Sequence, residues 1–196
     1  MTHTTRLACI LSSLVLVAGG APSPVPAADT KPVLRLHAFA VNMSGPARAR
    51  AGTLDIVIER WSTDEEVKLL TDTLIEKDSS ALLNTLQKIK PRVGYIRTPT
   101  SLGWDIHFAR EAPYGDGGRR VTIATDRPMS FWELRARPRS VDYEFTLAEI
   151  RLGKDGKGEG KLVPAAKVRY NNETRTMEIE EYGTEPVRLT EVRAEQ

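Results

Sequence analysis

Apolar side chains recur at every second position through most of this chain, and short clusters of turn-forming residues separate the segments that carry them. A period of two belongs to a strand with one buried face. Short connections restrict neighbouring strands to antiparallel pairing, because a parallel pair needs a crossover of a dozen residues or more. In Val33 to Asn42, Leu34, Leu36, Ala38 and Ala40 share one face and Arg35, His37 and Phe39 the other. Thr53 to Trp61 repeats the pattern with Leu54, Ile56 and Ile58. It returns in Arg92 to Thr98 and in the segment opened by Trp104, where Asp105 and His107 share the face opposite Ile106. Arg119 to Thr125, Tyr143 to Leu152, Lys161 to Tyr170, Thr174 to Tyr182 and Pro186 to Arg193 complete the set. Pro164 marks an edge or a bulge in its strand, since proline donates no ladder hydrogen bond. The glycines from Gly156 to Gly160 read as a hairpin turn, with no phosphate-loop ending and no following helix.

The period changes once. Ser62-Thr63-Asp64-Glu65 is a helix-start pattern, and Val67, Leu70 and Leu74 follow at helical spacing. Asp78-Ser79 opens a second helix carrying Leu82, Leu83, Leu86 and Ile89, and Pro91 closes it. The expected fold is mostly β within the α+β class. It is an antiparallel meander of about nine strands, barrel-like or strongly curved, with one helical hairpin inserted at about 63–90 and packed on the sheet. The sheet is expected to enclose a concavity.

Residues 1 to 28 read as a cleavable secretory signal. Arg6 supplies the positive n-region, Leu7 to Ala18 the apolar stretch, and Ala27 or Ala28 the cut. The apolar stretch is roughly 12 residues, short of the about 18 that a membrane span needs. Residues 29–196 then form a single β-rich domain, secreted or periplasmic, without a membrane span. Cys9 leaves with the signal, so thiol chemistry and disulfides leave with it. Setting Arg6 aside from the 28 basic residues leaves 27 against 26 acidic ones. A near-neutral domain lacks the basic excess of a nucleic-acid binder.

Asp105, His107 and Glu111 are the residues on which a hydrolase would be built, with Ser101 nearby as a nucleophile, but no nucleophile elbow is present. His37 and His107 lack metal-site spacing, so no metal or cofactor is expected. The segment from Arg127 to Arg139 concentrates arginines beside Phe131 and Trp132. Guanidinium groups take up carboxylates and phosphates bidentately and stack on aromatic faces. Arg127, Phe131, Trp132, Arg135 and Arg137, with His107, are therefore the expected binding residues for an anionic small molecule or an envelope partner.

The segments Ile58 to Glu66, Arg92 to Thr98, Leu102 to Asp105, Ala124 to Pro128 and Thr184 to Thr190 resemble an uncharacterised family of secreted bacterial proteins. The resemblance implies a bacterial exported protein and carries no activity with it. The expected function is a non-enzymatic ligand- or partner-binding domain of the cell envelope. A secreted hydrolase and a purely structural envelope protein are the alternatives.

Overall fold

The computed structural model describes residues 31–42, 50–129, 144–174, 176–181 and 186–195, with the backbone alone at Arg50, Thr176 and Glu181. Nine strands are present: β1 (Leu34–Asn42), β2 (Arg50–Ile58), β3 (Gly94–Arg97), β4 (Trp104–Tyr114), β5 (Gly118–Thr125), β6 (Phe145–Leu152), β7 (Lys157–Asn171), β8 (Thr176–Glu181) and β9 (Val187–Glu195). Two helices, α1 (Asp64–Glu76) and α2 (Ser79–Lys88), stand between β2 and β3. From β1 to β7 each strand pairs antiparallel with the next, β7 pairs with β9, and β9 returns to β1. Eight strands thus close into a barrel, and β8 is an extra strand on β7.

The fifteen residues of β7 make this possible. Lys157 to Leu162 pair with β9, and Ala166 to Asn171 pair with β8. Pro164 lies in the interval between the two partners, where its missing N–H costs no ladder bond. The ladder to β6 shifts register there, so Pro164 sits at a bulge. Its carbonyl accepts from Met129 N at 3.0 Å and from Thr146 Oγ1 at 2.9 Å.

The inward faces fill the barrel. Leu36 and Ala38 of β1, Leu54, Ile56 and Ile58 of β2, Ile123 of β5, Ile150 of β6 and Leu189 of β9 belong to one continuous buried cluster. Trp61 and Trp104 pack against it, and Met129 is fully buried in it. Barrels of eight strands have an interior that side chains can fill. The concavity expected inside the sheet is therefore replaced by a packed core.

A second cluster lies outside the barrel. Leu70 and Leu74 of α1 and Leu82 and Leu86 of α2 pack on Phe145 of β6 and on Ala166 and Val168 of β7. The start of α1 is a capping box one residue later than the sequence pattern suggests. Thr63 Oγ1 accepts from Glu66 N at 3.2 Å, and Thr63 N donates to Glu66 Oε2 at 2.9 Å. Gly158 and Gly160, read as turn residues, lie inside β7 instead; the turn is confined to the residues just before it.

Arg60 ties both ends of the helical pair to the barrel. Its guanidinium meets both oxygens of Glu66 at 2.9 Å and donates to the carbonyl of Pro91, beyond α2, at 2.7 Å. These bonds hold the Glu66 carboxyl below its ordinary value, with Arg60 as the main cause. A lowered folded-state value means that the contribution is present above the unfolded value of about 4.5 and is lost as pH falls through the folded value. Arg60→Ala is expected to cost about 1–2 kcal/mol at neutral pH, as charge-assisted but partly exposed bonds do. It should also flatten the loss of stability on acidification below that pH. Urea unfolding at neutral and acid pH, on both proteins, measures each effect.

Candidate functional site

The residues expected to bind an anion divide into two groups. Phe131, Trp132, Arg135 and Arg137 lie outside the described residues. Arg127 is exposed, and its Nη2 donates to the carbonyl of Gly103 at 2.9 Å. The Arg127 carbonyl accepts from Thr125 Oγ1 at 2.7 Å, so this residue is bonded into the end of the barrel. His107 is buried, with Nε2 3.6 Å from Asp126 Oδ2, and its Nδ1 has no partner among the described residues.

The three residues on which a hydrolase would be built do not converge. The β4–β5 ladder shifts register between Ile106 and Phe108, which makes His107 a bulge residue. A bulge breaks the alternation of faces. Asp105 is exposed and pairs with Arg92 Nη1 at 3.0 Å, whereas Glu111 pairs with Arg119 at 3.4 Å. Ser101 Oγ accepts from Thr98 N at 2.9 Å within its own turn. His37 Nδ1 meets Asp55 Oδ1 at 2.8 Å on the exposed outer face. No group of three or more His, Cys, Asp or Glu among the described residues is arranged to hold a metal ion. No described helix is long and apolar enough to cross a membrane.

A cavity of about 240 Å³ lies elsewhere, between the helical pair and the outer wall of the barrel. Helical spacing puts Val67, Leu70, Thr71 and Leu74 of α1 on one side, with Leu82 and Leu86 of α2 beside them. The wall opposite is the outward face of three neighbouring strands, through Phe108 of β4, Thr122 and Ala124 of β5, and Phe145 and Leu147 of β6. Val168 of β7 and Met177 and Ile179 of β8 complete the lining. Met177 is 62% and Ile179 54% exposed, so the cavity opens to solvent along β8.

Among the described residues the polar side chains of this lining are Thr71 and Thr122, and none of the described lining is ionisable. The described lining is therefore an apolar surface that carries two hydroxyl groups. It can remove hydrocarbon surface from water, which stabilises a complex by about 25 cal/mol for each Å² buried. Apolar cavities of roughly 150 Å³ already take up a benzene-sized molecule.

The sequence carried a trace of this site that periodicity alone does not isolate. Outward positions of a barrel wall are ordinarily polar, as Glu149 and Arg151 of β6 are, yet the first half of that strand is apolar outward as well, through Phe145 and Leu147, opposite the inward Ala148, Ile150 and Leu152. A stretch of that kind is covered on both sides.

Fold and site together define a closed eight-stranded antiparallel barrel with a packed interior and an external apolar pocket roofed by a helical pair. No protein-family model matches the chain, no curated protein matches it, and no solved structure matches it.

Proposed function

We propose that this is an exported, non-enzymatic binding protein whose ligand is an apolar group, an acyl chain or a small ring, held between the helical pair and the barrel wall. The observation that carries the reading is the cavity of about 240 Å³ with its non-ionisable lining. Pockets for small molecules are mostly apolar with few polar groups, and this one keeps two threonine hydroxyls. Its opening beside Met177 and Ile179 leaves room for a polar end of the ligand to stay in water. The expected ligand shifts from an anion to a hydrocarbon because the cavity that the described residues form is apolar. Export rests on the pattern of residues 1 to 28, a basic start, an apolar stretch and a small-residue cut.

The test fills the pocket. Ala124 is buried and lines the cavity, so Ala124→Leu places three extra carbons in the space a ligand would use. The neutral fluorophore N-phenyl-1-naphthylamine is expected to brighten on binding the parent protein. It should lose that binding with Ala124→Leu, while the melting temperature stays level or rises as a void is filled. Undiminished binding by a folded Ala124→Leu protein rules the pocket out.

A further inference from the structure

We propose that the outer edge of β8 takes up an extended peptide strand in which apolar residues alternate with basic ones. The inference rests on that edge and its charges; Met177 and Ile179 are shared with the mouth of the cavity, so the N-methylated peptide and the glutamine pair below, which leave the cavity lining unchanged, separate it from the cavity's own ligand. Among the described residues β8 pairs with β7 alone, so one row of its backbone N–H and C=O groups faces no strand. Such an edge is a template for strand addition, in which main-chain bonds give affinity and alternate side chains give selectivity.

The two faces of β8 state the selectivity. Ile179 stands opposite Val168 and Met177 opposite Tyr170, on the face that looks toward the helical pair. Both remain more than half exposed, so an added strand with apolar residues on that face would cover them. Glu178 and Glu180 point to the other face, opposite Arg169 and Lys167. Arg169 Nη2 meets Glu180 Oε2 at 3.1 Å, and Asn171 Nδ2 donates to Glu178 Oε1 at 2.7 Å. These contacts come from the β7 side. A strand added on the other side sets one residue directly beside each glutamate, where a cation is favoured and an anion disfavoured.

The same rule disfavours a second copy of this chain. Antiparallel self-pairing centred on Ile179 sets Glu178 beside Glu180 of the other copy, and parallel pairing in register sets each glutamate beside itself. The partner that satisfies both faces is therefore an alternating apolar and basic segment of another protein.

Fluorescence anisotropy with three labelled peptides of about eight residues, a usual strand length, tests this. The first alternates Val and Lys, the second Val and Glu, and the third is the first with alternate amides N-methylated. The Val-Lys peptide is expected to bind about tenfold tighter than either of the others, a difference two reversed charge pairs and a broken ladder can supply. Glu178→Gln with Glu180→Gln should shrink the preference for Lys over Glu to about twofold. Met177→Ser with Ile179→Ser should weaken the Val-Lys peptide about tenfold with the melt of the barrel retained. Absence of saturable binding, equal binding of the N-methylated peptide, or a preference untouched by the glutamine pair each overturns the proposal.

Discussion

Gly158→Ala is expected to lose at least about 3 kcal/mol of unfolding free energy, the upper part of the range for forced overpacking. Gly158 pairs with Leu152 of β6 and with Val192 of β9, so it lies at the seam where the barrel closes. A Cβ built there falls within 3.0 Å of three backbone atoms of β6: Arg151 O, Arg151 C and Leu152 Cα. No rotamer change relieves a collision with main chain, so the strands must part. The β9 ladder already shifts register between Gly158 and Gly160, which leaves little slack. Gly52→Ala is the matched control, since a Cβ there meets nothing within 4 Å. Guanidinium unfolding of both variants measures the contrast, and equal midpoints would show that the seam tolerates a side chain.

The second large effect belongs to the outer cluster. Phe145 is 1% exposed, packs with the helical pair, and lines the cavity. Phe145→Ala is expected to cost about 3–5 kcal/mol, the usual range for removing a buried ring. Because Ala148 and Ile150 of the same strand face the other way, the barrel core keeps its contacts. The loss should therefore be read first as melting of the helical signal in circular dichroism, ahead of the strand signal. The same change enlarges the pocket, so ligands bulkier than the parent protein admits should bind below the first transition. A single transition with both signals lost together would contradict the division into two cores.

Much of this architecture could be read from the residues. About nine strands were expected and nine are present among the described residues, and the helical pair falls where the period changes from two to about four. The start of α1 was legible to within one residue because a capping box is local chemistry: the pattern at Ser62 to Glu65 pointed to it, and the box itself is Thr63 answered by Glu66. The bulge at Pro164 was legible from the proline itself, but those of β4 and β9 were not, because an inserted residue leaves no mark in composition. The bulge at His107 buries a ring that simple alternation sets beside Asp105. In β9, Leu189 and Val192 both face inward although they stand three positions apart, an odd spacing that alternation would set on opposite faces. The register shifts between them, and Glu191 adopts φ 50°. That a side chain other than glycine stands in this conformation shows the neighbouring strands fixing it, at a cost of about 1–2 kcal/mol. The cavity was hidden for a further reason. Its wall is assembled from single outward residues of separate strands, and only the register of β4, β5 and β6 brings Phe108, Ala124 and Leu147 together.

β7 serves two masters, with Pro164 at the changeover. Upstream of that residue its amides belong to a closed ring, where no strand can leave without opening its neighbours. Downstream they belong to a two-stranded ribbon under a pair of helices. Such regions open at different free energies, the ribbon with its helices at the low end and the ring at the global one. In hydrogen exchange, the amides of Val168 and Ile179 should therefore exchange long before those of Leu162 and Ile150. Under the binding proposed above, ligand entry and release are timed by the faster opening, and the pocket fills and empties while the barrel stays shut.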